Sequence, residues 1–165
     1  MTLSHLVATF FLTGHLRPAP GTWGSLAAIP AAWAIHSLGG PWLLMLCTGL
    51  VFALGWWATH LETLDKDDHD PSEIVIDEVA GQWLAFWPVS IGAAHVGAGL
   101  TALWPGWIAA FVLFRLFDIW KPGPVGWADR RGDALGVMLD DIIAGVLAAI
   151  GVMALAALSH GVLMR

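Results

Sequence analysis

Three long stretches without a charged side chain decide what this chain can fold into. Residues 18–61, 79–114 and 142–164 contain no Asp, Glu, Lys or Arg, and they are 44, 36 and 23 residues long. Because a helix of about 20 apolar residues crosses a bilayer, these stretches predict two, two and one crossings. Charged residues make up 12% of the chain, about half the share of a soluble domain, which excludes a soluble enzyme. We therefore predict an all-α, polytopic membrane helical bundle of about five spans, forming one membrane-embedded domain over residues 1–165.

Glycine and proline residues divide the two longer stretches. Gly39-Gly40-Pro41 predicts a break in the first stretch, and a softer break is predicted between Gly92 and Pro105 in the second. The predicted helices are 22–38, 41–60, 73–94, 102–119 and 136–160.

The charged residues predict the orientation of the bundle. Six of the seven Lys and Arg residues fall on one side of the five-span arrangement, and only Arg165 falls on the other. The positive-inside rule makes the side with six cytoplasmic. Every Asp and Glu falls on that side as well, although the rule does not require it. A functional site that uses these acids is therefore predicted at the cytoplasmic interface.

Two pairs of acidic residues stand near the starts of predicted helices. Asp70-Pro71-Ser72-Glu73 has the pattern of a helix start, with Asp70 as the N-cap and Pro71 in the first helical position. This start would place one acidic pair about two turns inside the helix, and Asp133 precedes the second pair by the same seven residues. The four carboxylates predicted to converge are Asp77, Glu78, Asp140 and Asp141.

Four carboxylates brought together repel one another and need a counter-charge. A divalent cation is the simplest one, and ligands that are all oxygen favour Mg²⁺, Mn²⁺ or Ca²⁺ over zinc. The alternative is that basic residues neutralise the acids as structural ion pairs. The candidates for that role are Arg115, Lys121, Arg130 and Arg131.

Cations beside these acids suggest phosphoryl chemistry. Arg115, Asp118 and Lys121 are spaced to share one helix face, where Asp118 can hold its neighbours in place. Arg and Lys next to a metal ion bind and neutralise a phosphoryl group, although they could also snorkel to lipid phosphates. Thr22, in the loop that opens the first helix, stands where backbone N–H groups suit an anion.

Three blocks of sequence, in order, cover most of residues 19–145. They are APGTWGSL at 19–26, DPSEIVIDEVAG at 70–81, and FRLFDIWKP at 114–122, which continues through DRR at 129–131 and GVMLDD at 136–141 to AG at 144–145. These blocks resemble the bacterial phosphatidylglycerophosphatase A family. The resemblance implies a multi-pass Mg²⁺-dependent phosphatase of the inner membrane that converts phosphatidylglycerophosphate to phosphatidylglycerol and inorganic phosphate at the cytoplasmic face. Gln82 departs from it, because an aromatic or apolar residue is expected there.

The predicted mechanism is metal-assisted hydrolysis, with an Asp nucleophile as the alternative. The predicted catalytic and metal-binding residues are Asp77, Glu78, Asp140 and Asp141. The residues predicted to bind substrate are Thr22, Arg115, Asp118, Lys121, Arg130 and Arg131. The predicted partners are the phospholipid substrate and the bilayer, without nucleic acid.

Two other functions compete with this prediction. A small cation-coupled transporter would need carboxylates near the bilayer midplane, whereas the outer halves of the predicted helices carry no charge. A membrane phosphotransferase acting on another phospholipid could use the same metal chemistry, but the Asp-Gly and Ala-Arg pairs of the CDP-alcohol type do not occur in this chain.

Overall fold

The chain is built from α-helices, as predicted. A computed structural model describes residues 2–64, 66 and 68–163. Arg165, the one basic residue predicted on the outer side, lies outside the described residues. Within the described residues there are seven α-helices and no strand. The helices are α1 (Leu3–Ala8), α2 (Pro20–Thr63), α3 (Ile76–Ala85), α4 (Trp87–Val96), α5 (Trp104–Trp120), α6 (Pro124–Asp129) and α7 (Ala134–Leu163). Short 3₁₀ turns, Thr13–His15 and Leu100–Leu103, precede α2 and α5.

Within the described part of the chain, three segments are long and apolar enough to cross a membrane: Pro20–Thr63, Leu100–Trp120 and Ala134–Gly161. They confirm the prediction of a membrane helical bundle. Helix α2 has 44 residues, which at about 1.5 Å per residue is roughly twice the thickness of the hydrocarbon core. Its backbone leaves the helical conformation at Gly39-Gly40, where Gly40 has a φ of +67° that glycine adopts without steric cost. The predicted break is confirmed, and the number of crossings stays a prediction.

The start of the predicted helix 73–94 is wrong. Helix α3 begins at Ile76, because the N–H of Val75 donates to the carbonyl of Ala8 (2.9 Å) and ties the preceding segment to the N-terminal part of the chain. Asp70 is therefore not a helix cap. The first acidic pair lies in the first turn of α3 and not two turns inside a helix.

The predicted helix 73–94 is also interrupted, since α3 and α4 are separate helices of ten residues each. Pro88 stands in the first turn of α4, and it has no N–H to donate to the carbonyl of Leu84. Regular bonding resumes where the N–H of Ser90 donates to the carbonyl of Phe86 (2.9 Å). The chain can therefore bend in the middle of an apolar stretch.

The predicted cap of the last helix is present. Asp133 precedes α7, and its Oδ1 accepts a hydrogen bond from the N–H of Gly136 (2.7 Å). The second acidic pair therefore lies in the second turn of α7.

Helices α3 and α7 cross at two glycines. A Cβ atom at Gly145 would overlap the carbonyl oxygen of Gly81, and a Cβ atom at Gly81 would lie 2.5 Å from the carbonyl oxygen of Asp141. Small residues let the backbones of two membrane helices approach this closely. Each glycine follows an acidic pair by three to five residues, so the crossing brings the two pairs together.

Gly145→Val is expected to lower the thermal stability of the protein in detergent. The new side chain must push α3 away from α7, and overpacking of this kind costs about 1–3 kcal/mol. Gly49→Val is the control, because a side chain at Gly49 meets nothing within 4 Å. Equal melting temperatures for the two variants would show that the close approach of the helices is dispensable.

Candidate active site

A cavity of about 390 Å³ opens at the end of the bundle where the charged residues gather. Its walls come from the start of α2, the segment before α3, the first turn of α3, the end of α5 and the second turn of α7. Among the residues that the structure describes, six carboxylates and two cations line it. The acids are Asp70, Asp77, Glu78, Asp118, Asp140 and Asp141, and the cations are Arg115 and Lys121. This surplus of acidic groups favours the binding of a further cation.

Three of the carboxylates form a compact group. Asp77, Glu78 and Asp141 each offer an oxygen, and these oxygens lie within 4.8 Å of one another. Oδ1 of Asp77, Oε2 of Glu78 and Oδ2 of Asp141 are buried and have no hydrogen-bond partner among the described residues. Buried polar atoms without partners are costly and uncommon. The residues therefore fit a small divalent cation that prefers oxygen ligands.

Arg115 connects three helices at the edge of this acidic group. Its Nη1 lies 3.9 Å from Oε1 of Glu78, and it forms an ion pair with Asp118. The same nitrogen donates to Oγ of Ser25 (3.4 Å), whose hydroxyl donates to the carbonyl of Gly21 (2.8 Å). The guanidinium is thus held by α2, α3 and α5, and its charge faces the cavity.

Lys121 supplies the second cation from just beyond the end of α5. Its Nζ donates to Oδ2 of Asp140 (3.0 Å) and to Oδ1 of Asp129 in α6. Burial alone would lower the pKa of Lys121, but the hydrogen bond that its ammonium donates to Asp129 and the charge of Asp140 raise this pKa above its usual range. Lys121 therefore stays a cation at neutral pH.

The structure separates the predicted site residues into two sets. Asp140 lines the cavity with the others, but its partner is Lys121 and it does not belong to the compact group of three. Thr22, Arg130 and Arg131 are not among the described residues that line the cavity. Arg131 pairs instead with Asp133 (2.9 Å), and its hydrogen bond holds the pKa of Asp133 below the usual range. Their predicted roles in substrate binding stay predictions.

Sequence reasoning missed several residues of the cavity wall. Gly21 packs so closely on Glu78 that a Cβ atom would overlap Oε1 of the carboxylate. Asp70 and Ser72 also line the cavity, although Asp70 looked like a helix cap. Gly21 belongs to the motif at 19–26, but the residues next to it in the sequence do not indicate that it faces Glu78.

The comparison with known proteins agrees with this arrangement of acids and cations. The family model described as phosphatidylglycerophosphatase A matches residues 6–156. The chain belongs to this family. Membership confirms the resemblance drawn from the three sequence blocks, and it confirms that the chain is an enzyme of the phosphatase class.

Individual phosphatidylglycerophosphatase A proteins are similar over most of their length. That of Haemophilus influenzae is 37% identical over 153 residues, which cover 92% of this chain and 87% of the relative. That of Escherichia coli is 39% identical over 148 residues, which cover 88% of this chain and 78% of the relative. A putative phosphatidylinositol-3-phosphatase of Bacteroides thetaiotaomicron is 36% identical over 148 residues, covering 86% of each chain. No solved structure matches the chain significantly.

Gln82 stands where the family resemblance led us to expect an aromatic or apolar residue. Its side chain is fully buried one turn after Glu78, and neither Oε1 nor Nε2 has a hydrogen-bond partner among the described residues. Burying an amide without a partner costs free energy, about 1–3 kcal/mol in mutational series. We therefore expect the Gln82 amide to lower the stability of the protein.

Gln82→Met is expected to raise the stability of the protein by about 1–2 kcal/mol, because it removes the unpartnered amide and nearly keeps the volume. Thermal melting in detergent measures the change. Thr48→Val is the contrast, since the Thr48 hydroxyl is bonded to the carbonyl of Leu44 (2.7 Å) and its loss should bring no gain. A lower melting temperature in Gln82→Met would mean that the amide is satisfied in the folded protein.

Proposed function

We propose that the chain is a Mg²⁺-dependent phosphatase that hydrolyses phosphatidylglycerophosphate to phosphatidylglycerol and inorganic phosphate. The observation that carries the proposal is the group of three unpartnered carboxylate oxygens from Asp77, Glu78 and Asp141 beside two fixed cations. The names of the Haemophilus influenzae and Escherichia coli relatives support this substrate.

In this proposal, Asp77, Glu78 and Asp141 hold the metal ion. When bound, the ion supplies Lewis-acid stabilisation of the negative charge on the transferring phosphoryl group. Mg²⁺ is the choice because all three ligands are oxygens and because the open cavity leaves room for water and phosphate oxygens. Asp140 has a different task, which is to hold Lys121 by the 3.0 Å ion pair.

The cations bind the phosphate and the acids handle protons. Arg115 and Lys121 reach the cavity from the end of α5, where their N–H groups donate to the peripheral oxygens of a phosphomonoester. A water molecule attacks phosphorus, the bond from phosphorus to the glycerol oxygen breaks, and a cavity carboxylate accepts the proton of the water. The leaving glycerol oxygen takes up a proton, so the products are phosphatidylglycerol and inorganic phosphate.

The apolar residues at one wall of the cavity are evidence for a lipid substrate. Ile119 lines the cavity and is 70% exposed, and its neighbour Trp120 is 71% exposed. Both residues lie at the end of the apolar helix α5. An opening with this composition suits a molecule that has a charged head and apolar chains. We place the cavity at the cytoplasmic face of the bacterial inner membrane, because the basic residues gather at its end of the bundle.

The test is phosphate release from phosphatidylglycerophosphate by the purified protein in detergent micelles. We expect release in Mg²⁺, loss of release in EDTA, and recovery when Mg²⁺ is restored. Phosphatidylinositol 3-phosphate is the comparison substrate, because one relative carries the name of a phosphatase for that lipid. Preference for the inositol lipid would overturn the proposed substrate, and full activity in EDTA would overturn the proposed metal.

A further inference from the structure

A second group of metal-ligating side chains lies outside the residues that line the cavity. His5 belongs to α1, and His15 ends the 3₁₀ turn Thr13–His15. The Nε2 atoms of the two rings are 3.0 Å apart, and the ring centroids are 5.1 Å apart. The two imidazoles thus face each other with the same ring nitrogen.

Glu62 orients the first of these rings. Its carboxylate accepts hydrogen bonds from Oγ of Ser4 (2.6 Å) and Oγ1 of Thr2 (3.2 Å), and it lies 3.2 Å from Nδ1 of His5. A carboxylate partner assigns the proton of His5 to Nδ1, which leaves the lone pair of Nε2 facing His15. A carboxylate behind a histidine in this way is the usual outer partner of a metal-binding imidazole.

We propose that His5 and His15 bind a divalent transition-metal ion, with Zn²⁺ as the representative, through their Nε2 atoms. Metal-to-nitrogen bonds are about 2.0–2.1 Å, so two nitrogens 3.0 Å apart can share an ion at an angle of roughly 95°. A tetrahedral angle needs the rings to separate by only a few tenths of an ångström. Two protein ligands leave the other positions to water, so the ion exchanges readily.

This site selects a different ion from the cavity. Imidazole nitrogens favour Zn²⁺, Ni²⁺ or Cu²⁺, whereas the all-oxygen group of three carboxylates favours Mg²⁺. The two sites can therefore be filled independently, and the histidine site does not rest on the function proposed for the cavity.

The chain between the two histidines is strained. Phe10, Phe11 and Leu12 have φ values of 42°, 55° and 70°, a left-handed conformation that costs free energy for residues other than glycine. This reversal is what returns His15 to His5. An ion shared by the two rings would hold the reversal closed.

The same segment touches the wall of the cavity. Arg17 donates to Oγ of Ser72 (3.4 Å), which lines the cavity, and the carbonyl of Ala8 accepts from Val75 just before α3. An ion that fastens His5 to His15 therefore also steadies this wall.

The test is calorimetric titration of Zn²⁺ into the full-length, tag-free protein in detergent, with saturating Mg²⁺ to occupy the oxygen ligands of the cavity. We expect one Zn²⁺ per chain, and at least a tenfold loss of affinity in both His5→Ala and His15→Ala. Glu62→Gln should weaken binding by about 10-fold or more, as expected for an outer partner. His60→Ala is the matched control, since His60 is an exposed imidazole two residues from Glu62, and its affinity should equal that of the unchanged protein.

A second measurement uses only the unchanged protein and so does not depend on the folding of variants. Paramagnetic resonance of bound Cu²⁺ should show hyperfine splitting from two imidazole nitrogens. Absence of Zn²⁺ binding, unchanged affinity in His15→Ala, or a Cu²⁺ spectrum without two nitrogens would overturn the proposal and leave the pair as a hydrogen bond between rings. None of these readouts involves phosphatase activity.

Discussion

Glu78→Gln should lower the rate of phosphate release by about 10³-fold or more while the protein remains folded in the membrane. The amide keeps the shape of the side chain but removes the charge that a metal ion needs, and it turns one ligand oxygen into a donor that repels the ion. Glu78 is also the acid that faces Arg115 (3.9 Å) and packs on Gly21. Loss of the Glu78 charge should therefore weaken metal binding and also remove an ionic contact of Arg115, the cation proposed to bind phosphate.

The same substitution should raise the melting temperature in EDTA. Without a metal ion, six carboxylates share the cavity with two cations, and removing one acid relieves repulsion. Glu73→Gln is the matched control, because Glu73 lies five residues earlier and does not line the cavity. Near-normal turnover in Glu78→Gln, measured at low and high Mg²⁺, would contradict the metal-binding role proposed for the carboxylates.

Lys121→Ala should lower kcat/KM by about 10- to 100-fold, since a hydrogen bond to a charged group is worth about 1.5–3 kcal/mol. A rise in KM with unchanged kcat would assign Lys121 to the bound ground state, and a fall in kcat would assign it to the transition state. Lys66→Ala, which removes an exposed Lys outside the cavity, is the control and should be silent.

The partner of Lys121 allows a sharper version of this experiment. Removing the ammonium leaves Asp140, which is only 5% exposed, without its 3.0 Å ion-pair partner and should also reduce stability. The double variant Lys121→Ala/Asp140→Asn should recover the stability without recovering the activity. Recovery of both would mean that Lys121 serves the fold alone.

The sequence predicted the bundle because charge and hydropathy decide whether a segment can lie in a bilayer, and that pattern is local. It also predicted that four carboxylates converge, and all four line one cavity together with Arg115 and Lys121. They are Asp77, Glu78, Asp140 and Asp141. The break at Gly39-Gly40 was also predictable from local sequence, because only glycine freely adopts the backbone conformation of Gly40.

Features that depend on distant parts of the chain were not predictable. The start of α3 is set by the hydrogen bond from Val75 to Ala8, which overrides a sequence with the pattern of a helix start at 71. The pairing of Asp140 depends on the left-handed conformation of Lys121 (φ 49°) and on α6, whose Asp129 binds the same ammonium. The residues next to Asp140 do not indicate that Lys121 binds it or that Asp129 shares the same ammonium.

The exposed isoleucine in the cavity wall has a consequence for how reaction rates depend on concentration. Ile119 lines the cavity and is exposed at the end of the apolar helix α5. If the proposed lipid substrate enters past Ile119, its head group reaches the carboxylates while its acyl chains stay in hydrocarbon. Encounter then takes place within a two-dimensional sheet, and the quantity that saturates the enzyme is the mole fraction of substrate among its lipid neighbours. Adding detergent at a constant total amount of substrate should therefore slow the reaction, because it lowers the mole fraction of substrate in the micelle surface.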